Sequence, residues 1–150
     1  MSGGNTIAVQ RRSRGAGVPS AASLRLWALA ARGEVPGELT LRVVDEEESA
    51  ELNGRFRNQP HATNVLSFPY AAEGIADAVL GDVVICAPVV AREAAEQNKD
   101  PRAHWAHMVV HGVLHLTGYD HENARDAKRM ETREREILGS LGFSDPYTSE

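Results

Sequence analysis

The sequence predicts a single domain, residues 1–150, that combines about four short strands with about five helices. Three observations carry this expectation. At 150 residues and 42% hydrophobic side chains, the chain can bury a core without disulfide or other staples and stays within the usual size of one domain. Its apolar residues switch along the chain between the alternation of a strand and the 3.6-residue period of a helix. No internal repeat or low-complexity block divides it, and Gly, Pro and Ser fall between elements rather than between domains.

Thr6 to Arg12 reads as a first strand, followed by an amphipathic helix from Ser20 to Arg32 with Leu24, Trp27, Ala28 and Ala31 on one face. Arg11 and Arg12 ahead of this Ala/Leu stretch superficially suggest a twin-arginine export signal, but Arg25 interrupts the would-be apolar region. Leu39 to Asp45 alternates as a second strand, and Glu46 to Asn58 reads as a helix whose first turn is acidic, as the helix dipole prefers. Asn64 to Tyr70 and Asp82 to Ala87 are further strands, Pro69 confining the former to an edge or a strand end. Pro88 to Gln97 is a short helix. Two long helices, Pro101 to Thr117 and Asn123 to Leu141, close the chain.

The helix from Pro101 is the best specified. Asp100 can cap it, Pro101 suits its first position, and Gly118 stands where a terminating glycine belongs. Between Arg102 and Asp120 it carries no charge beyond what histidine can hold, so it is expected to be buried nearly all round.

On that helix His111 and His115 lie four residues apart, so both imidazoles project from one face a turn apart. Gly118 lets the chain turn back so that His121 meets them. Three nitrogen ligands with an open fourth position are the catalytic rather than the structural arrangement of zinc, so the expectation is one Zn2+ per chain at His111, His115 and His121, with other imidazole-binding metals left open. His107, one turn earlier, is expected to support the site or sit in the core. Zinc proteases with a related helix place a glutamate after the first histidine as general base; here Gly112 occupies that place. Peptidase chemistry is therefore not expected. A glycine inside a helix costs about 1 kcal/mol relative to alanine, which points to close approach of another element or of substrate beside Gly112.

Composition bounds the partners. Cys86, in the apolar run from Val83 to Ala87, reads as a small buried hydrophobe, and one cysteine permits no internal disulfide, which fits a reducing cytoplasm. The formal charge of −5 argues against indiscriminate polyanion binding, although residues 1–70 are nearly balanced and leave a local basic surface on the N-terminal half open. No run of about 18 apolar residues exists, so no membrane partner is expected.

The stretch from His111 to His121, with Gly112, Leu114, Gly118, Tyr119 and Asp120 around the histidines, resembles the signature of the bacterial YbeY family of metal-dependent endoribonucleases. Leu52, Asn53, Phe56 and Arg57, then Thr63 through Pro69, match a second block of that family. Leu80, Gly81 and Asp82, and the chain end through Leu141, Gly142, Asp145, Pro146 and Tyr147, fit as well. The likeness runs from about Leu39 onward. Ala62 departs from the proline that the family often has before Thr63, and the Gly/Arg-rich start is not diagnostic.

The resemblance implies an α+β fold: a small mixed sheet of about four strands with the metal-binding central helix packed against it. It implies zinc at His111, His115 and His121, with His115 counted among the catalytic residues, and Arg57 as the catalytic and substrate-binding position outside the histidine block. It also implies single-strand cleavage in maturation of the 3′ end of small-subunit ribosomal RNA and in ribosome quality control. The partners implied are ribosomal RNA, the small ribosomal subunit and ribosomal or GTPase assembly proteins. Chemistry agrees, because attack on a phosphodiester needs positive charge at the developing oxygens, and a metal and a guanidinium both supply it. Attack by water and attack by a ribose hydroxyl both stay open. A second class of reading, a non-enzymatic ribosome-associated factor stabilised by its metal, is disfavoured by the three-ligand count.

Overall fold

The structure is a computed structural model that describes residues 6–13, 15, 17–69 and 79–147. Its elements run β1 (Ile7–Arg11), α1 (Ala21–Arg32), β2 (Glu38–Val44), α2 (Glu46–Arg57), β3 (Val65–Pro69), β4 (Val79–Cys86), α3 (Ala87–Glu96), α4 (Pro101–Leu116) and α5 (Ala124–Ser140). The four strands form one sheet in the order β1-β2-β4-β3. β1 and β4 flank β2 in parallel, and β3 joins the outer side of β4 antiparallel, so the sheet is mixed and the fold α+β as expected. Among the described residues no helix is long and apolar enough to cross a membrane.

Alternation along the strands divides the sheet into two faces. Leu39, Leu41, Val43, Val83 and Ile85 point into the main core with α1, α4 and α5. Val44, Leu66, Val84 and Cys86 point the other way, where Leu52 of α2 and Val89 of α3 cover them. Cys86 is thus buried and free. Each predicted element is present with its ends moved by a residue or so, except β4, which begins three residues earlier than expected. The reason is a register shift at Leu80, which is skipped while Val79 pairs with Glu38 and Gly81 with Leu39, so the ladder to β2 extends past Asp82. Tyr70, expected to end β3, lies outside the described residues. Pro69 is the last residue of an edge strand, where its missing N–H leaves no ladder bond unmade.

Helix α4 lies on the main face of the sheet and from His104 to Leu116 is buried at every residue except His111 and His115. Pro101 occupies its first turn, while Asp100 sits at the N-cap with extended backbone but makes no side-chain capping bond, contrary to expectation. The glycine in the middle of the helix marks close approach, and the element that approaches is the sheet. A Cβ on Gly112 would stand 2.6 Å from Val83 Cγ1 and 3.0 Å from Val65 Cγ2. The Ser67 hydroxyl completes this contact by donating to the Gly112 carbonyl at 2.8 Å.

Gly112→Ala is expected to destabilise the fold. Val83 is fully buried, and overpacking of such a site costs about 1–3 kcal/mol, more than the gain of about 1 kcal/mol in helix propensity. Urea unfolding should show a lower midpoint at unchanged slope; an equal or higher midpoint would mean that the helix is not held at this distance.

Candidate functional site

The two breaks in the burial of α4 are the two histidines, and both face one cleft. Their rings lie 4.8 Å apart, centroid to centroid, as one helical turn dictates. The helix then ends in a Schellman turn: Gly118 N–H donates to His115 O at 3.3 Å and Tyr119 N–H to Leu114 O at 3.0 Å, with Gly118 at φ 107°. Tyr119 packs against the core and anchors the turn. The returning chain brings the His121 ring to 5.5 Å from His111 and 4.8 Å from His115. One ring nitrogen from each of the three histidines lies within 4.8 Å of the others.

Arg57 reaches the same cleft from the opposite face of the sheet. It ends α2, whose buried Ser49 and Asn53 pin the following loop: Ser49 Oγ donates to Thr63 O at 3.1 Å and Asn53 Nδ2 to His61 O at 2.9 Å. Those bonds fix β3 beside the helix end. An edge strand has backbone groups without a strand partner, and the Ser67 carbonyl of β3 accepts from an Arg57 terminal nitrogen at 2.7 Å. The guanidinium also sits over the Phe68 ring, 5.6 Å from its centroid. Ser67 therefore holds Arg57 with its carbonyl and α4 with its hydroxyl. The resulting cleft, about 650 Å³, is walled by Arg57, Ser67, His111, His115, Tyr119 and His121.

Behind the histidines lies a carboxylate that the sequence reading did not single out. Glu134 of α5 is completely buried. Its Oε2 accepts from His111 Nδ1 at 2.5 Å, and its Oε1 faces His107 Nε2 at 3.2 Å and accepts from the Tyr147 hydroxyl. Burial by itself would raise the Glu134 carboxyl, but hydrogen bonds from His107 and His111 outweigh it and bring it to about 2. A carboxylate only accepts, so the His111 proton is on Nδ1 and its Nε2 lone pair is free for a metal. The sequence did hold a signal: Glu134 is the one charged member of a stripe of α5 otherwise made of Met130, Ile137 and Leu138. His107, buried and bonded to Glu134 and Tyr147, supports the site as expected.

The residues fit a metal. Burial, then the neighbouring His111 and His121, lowers the His115 pKa and favours the neutral form that binds metals. A second group, His107, His111 and Glu134, also has ligand atoms within 4.8 Å. The atoms that bring this group together, His107 Nε2, His111 Nδ1 and the carboxylate oxygens, are spent on one another and on Tyr147, so the cleft-facing triad is the group that could hold the ion.

The family model described as Endoribonuclease YbeY matches residues 20–142. The chain belongs to the YbeY family. The match begins well before Leu39, so it takes in α1 as well. A protein of Methylococcus capsulatus named Endoribonuclease YbeY is 55% identical over 142 residues, 94% of this chain and 94% of its own length. One of Xanthomonas axonopodis with the same name is 52% identical over 151 residues, covering 96% of this chain and 94% of the relative. The solution structure of a Thermotoga maritima protein superposes with a TM-score of 0.58 at 27% identity, over 94% of this chain and 99% of that one.

Glu134→Gln should weaken metal binding by about 10- to 100-fold, the usual effect of losing the carboxylate behind a metal-binding histidine. Competition against a chelator of known affinity measures this, and unchanged affinity would remove Glu134 from the site. The same variant carries a pH signature. Because the folded carboxyl sits near 2 instead of its ordinary 4.5, ionised Glu134 stabilises the fold above the ordinary carboxylate range and ceases to do so as pH falls through that interval. Acid unfolding of metal-free protein should therefore be less steep in Glu134→Gln than in the parent.

Proposed function

We propose that this chain is a metal-dependent endoribonuclease that cuts single-stranded RNA in the cleft between α4 and β3. The observation that carries the reading is the meeting of three imidazoles with Arg57 at one cleft, although α2 and α4 lie on opposite faces of the sheet. The ion proposed is zinc, held by His111, His115 and His121, and when bound it would supply Lewis-acid stabilisation of negative charge on phosphate oxygens.

The chain's own groups then have distinct tasks. Arg57, fixed by the Ser67 carbonyl and the Phe68 ring, offers the rest of its guanidinium to a phosphate with two oxygens in line. Glu134 keeps the His111 proton on Nδ1 and holds the ring's orientation. His115, kept neutral by burial, stays available as a ligand at neutral pH. Gly112 leaves no carboxylate beside the triad on the helix, and the close contact with Val83 and Val65 leaves no room for one. That excludes the arrangement of the helix-borne zinc peptidases and supports a phosphodiester as substrate.

In the cell, the reading is maturation of the 3′ end of small-subunit ribosomal RNA and ribosome quality control in the cytoplasm. Ribosomal proteins and assembly GTPases are the protein partners proposed.

Arg57→Ala should leave metal content and thermal unfolding nearly unchanged while lowering cleavage of a defined ribosomal RNA fragment by about 10²-fold, as when one charge-stabilising donor is removed. Arg57→Lys should recover only part, since an ammonium lacks the bidentate contact. His115→Ala should lose metal and cleavage together. Wild-type cleavage with the same product ends in Arg57→Ala would show that the positive charge comes from elsewhere, and cleavage by metal-stripped protein would overturn metal dependence.

A further inference from the structure

Helix α5 carries a row of cations that the cleft chemistry does not use. Arg125, Lys128, Arg129 and Arg133 recur at spacings of three and four and so share one face. They line a groove of about 420 Å³ whose other wall is Tyr119. Tyr119 also walls the metal cleft, so the groove continues the cleft. At the junction the Arg129 guanidinium lies over the Tyr119 ring, 5.4 Å from its centroid.

Two physical points set this row apart from an ordinary charged surface. First, it is not neutralised. Arg133 pairs with Glu136 at 3.0 Å and Asp126 is taken up by Asn123 at the helix start, whereas Arg125, Lys128 and Arg129 make no ion pair among the described residues. This holds in a chain of net charge −5, where carboxylates outnumber cations. Second, Arg125 stands in the first turn of α5, the end at which the helix dipole repels cations, and Arg129 follows it four residues later as a like-charged neighbour on the same face. Local helix stability argues against them there, and such a conflict marks a functional position.

We propose that the RNA strand leaving the cleft passes Tyr119 and lays its phosphates along Arg125, Lys128 and Arg129, so that α5 extends the binding surface beyond the scissile bond. Charge complementarity and continuity with the cleft favour a polyanionic strand over an apolar partner. This assignment rests on the reading of the cleft as an RNA site. Helical spacing gathers these cations on one face of α5, which counting charges by halves of the chain does not reveal.

The test is the triple variant Arg125→Gln, Lys128→Gln, Arg129→Gln, in which glutamine keeps helix propensity close to that of the residues replaced. All three positions are exposed, so far-UV circular dichroism and the unfolding temperature should match or slightly exceed the parent. Binding of fluorescein-labelled 2′-O-methyl RNA of about 16 nucleotides is followed by anisotropy across a potassium chloride series. The expected result is a fall of about 2 in the slope of log affinity against log salt, with affinity at low salt down by about tenfold or more. With an oligomer of about four nucleotides, too short to leave the cleft, the two proteins should bind alike. An unchanged slope on the long RNA, in a parent that binds and cleaves RNA, overturns the α5 track alone. Equal losses on both lengths also overturn it, by showing a general charge effect. Loss of binding to polyglutamate with RNA binding intact would assign the groove to an acidic protein instead. A parent that neither binds nor cleaves RNA overturns both this assignment and the reading of the cleft.

Discussion

The contact between Gly112 and the β3–β4 edge of the sheet sets where everything else in the site can stand. A helix that packs on a sheet is normally held off by its side chains. Here one position has none, and Val83, Val65 and the Ser67 hydroxyl occupy the space. His111 lies just before this point of closest approach and His115 one turn beyond it, so both rings emerge at the sheet's edge instead of over its centre. A larger residue would move the helix, and with it two of the three proposed ligands, by a distance that the short bond from Ser67 to the Gly112 carbonyl could not follow.

The same edge strand solves a second problem. Arg57 belongs to a helix that covers the other face, and only an edge gives its side chain a way round. β3 is that edge, and Ser67 uses its two polar groups in different directions: the carbonyl fixes Arg57 and the hydroxyl fixes α4. One residue of a five-residue strand thus ties the cation to the histidine helix. Buried Ser49 and Asn53, which look unremarkable in a polar helix, complete the link by holding the loop that delivers β3.

Electrostatics then grade the site by depth. Glu134 is innermost and ionised, surrounded by two imidazoles and a phenol that give each of its oxygens a partner. The three cleft-facing imidazoles form the middle layer, and the guanidinium of Arg57 is outermost, at the solvent. An anion entering the cleft meets positive charge first, while the balancing carboxylate stays buried behind the histidines. Tyr147, near the end of the chain, closes the inner layer over Glu134, and burial followed by the carboxylate contact pushes its phenol far up, so it remains a donor.

Much of this was legible in the sequence, and what was legible was local. The spacing of His111 and His115, the terminating Gly118 and the uncharged run between Arg102 and Asp120 determine a buried helix with two imidazoles on one side, because helical geometry follows from the order of residues alone. The strands were equally readable from their alternation, and Pro69 from its missing N–H. Tertiary structure decided what depends on residues far apart in the chain. It decided that the neighbour of Gly112 is the sheet, that Arg57 crosses from one face to the other, and that Glu134, 23 residues from His111 in sequence, stands behind its ring. A buried carboxylate on an amphipathic helix is visible as an anomaly in the pattern, but its partner is not, since hydrogen bonds between distant elements leave no period in the sequence that makes them.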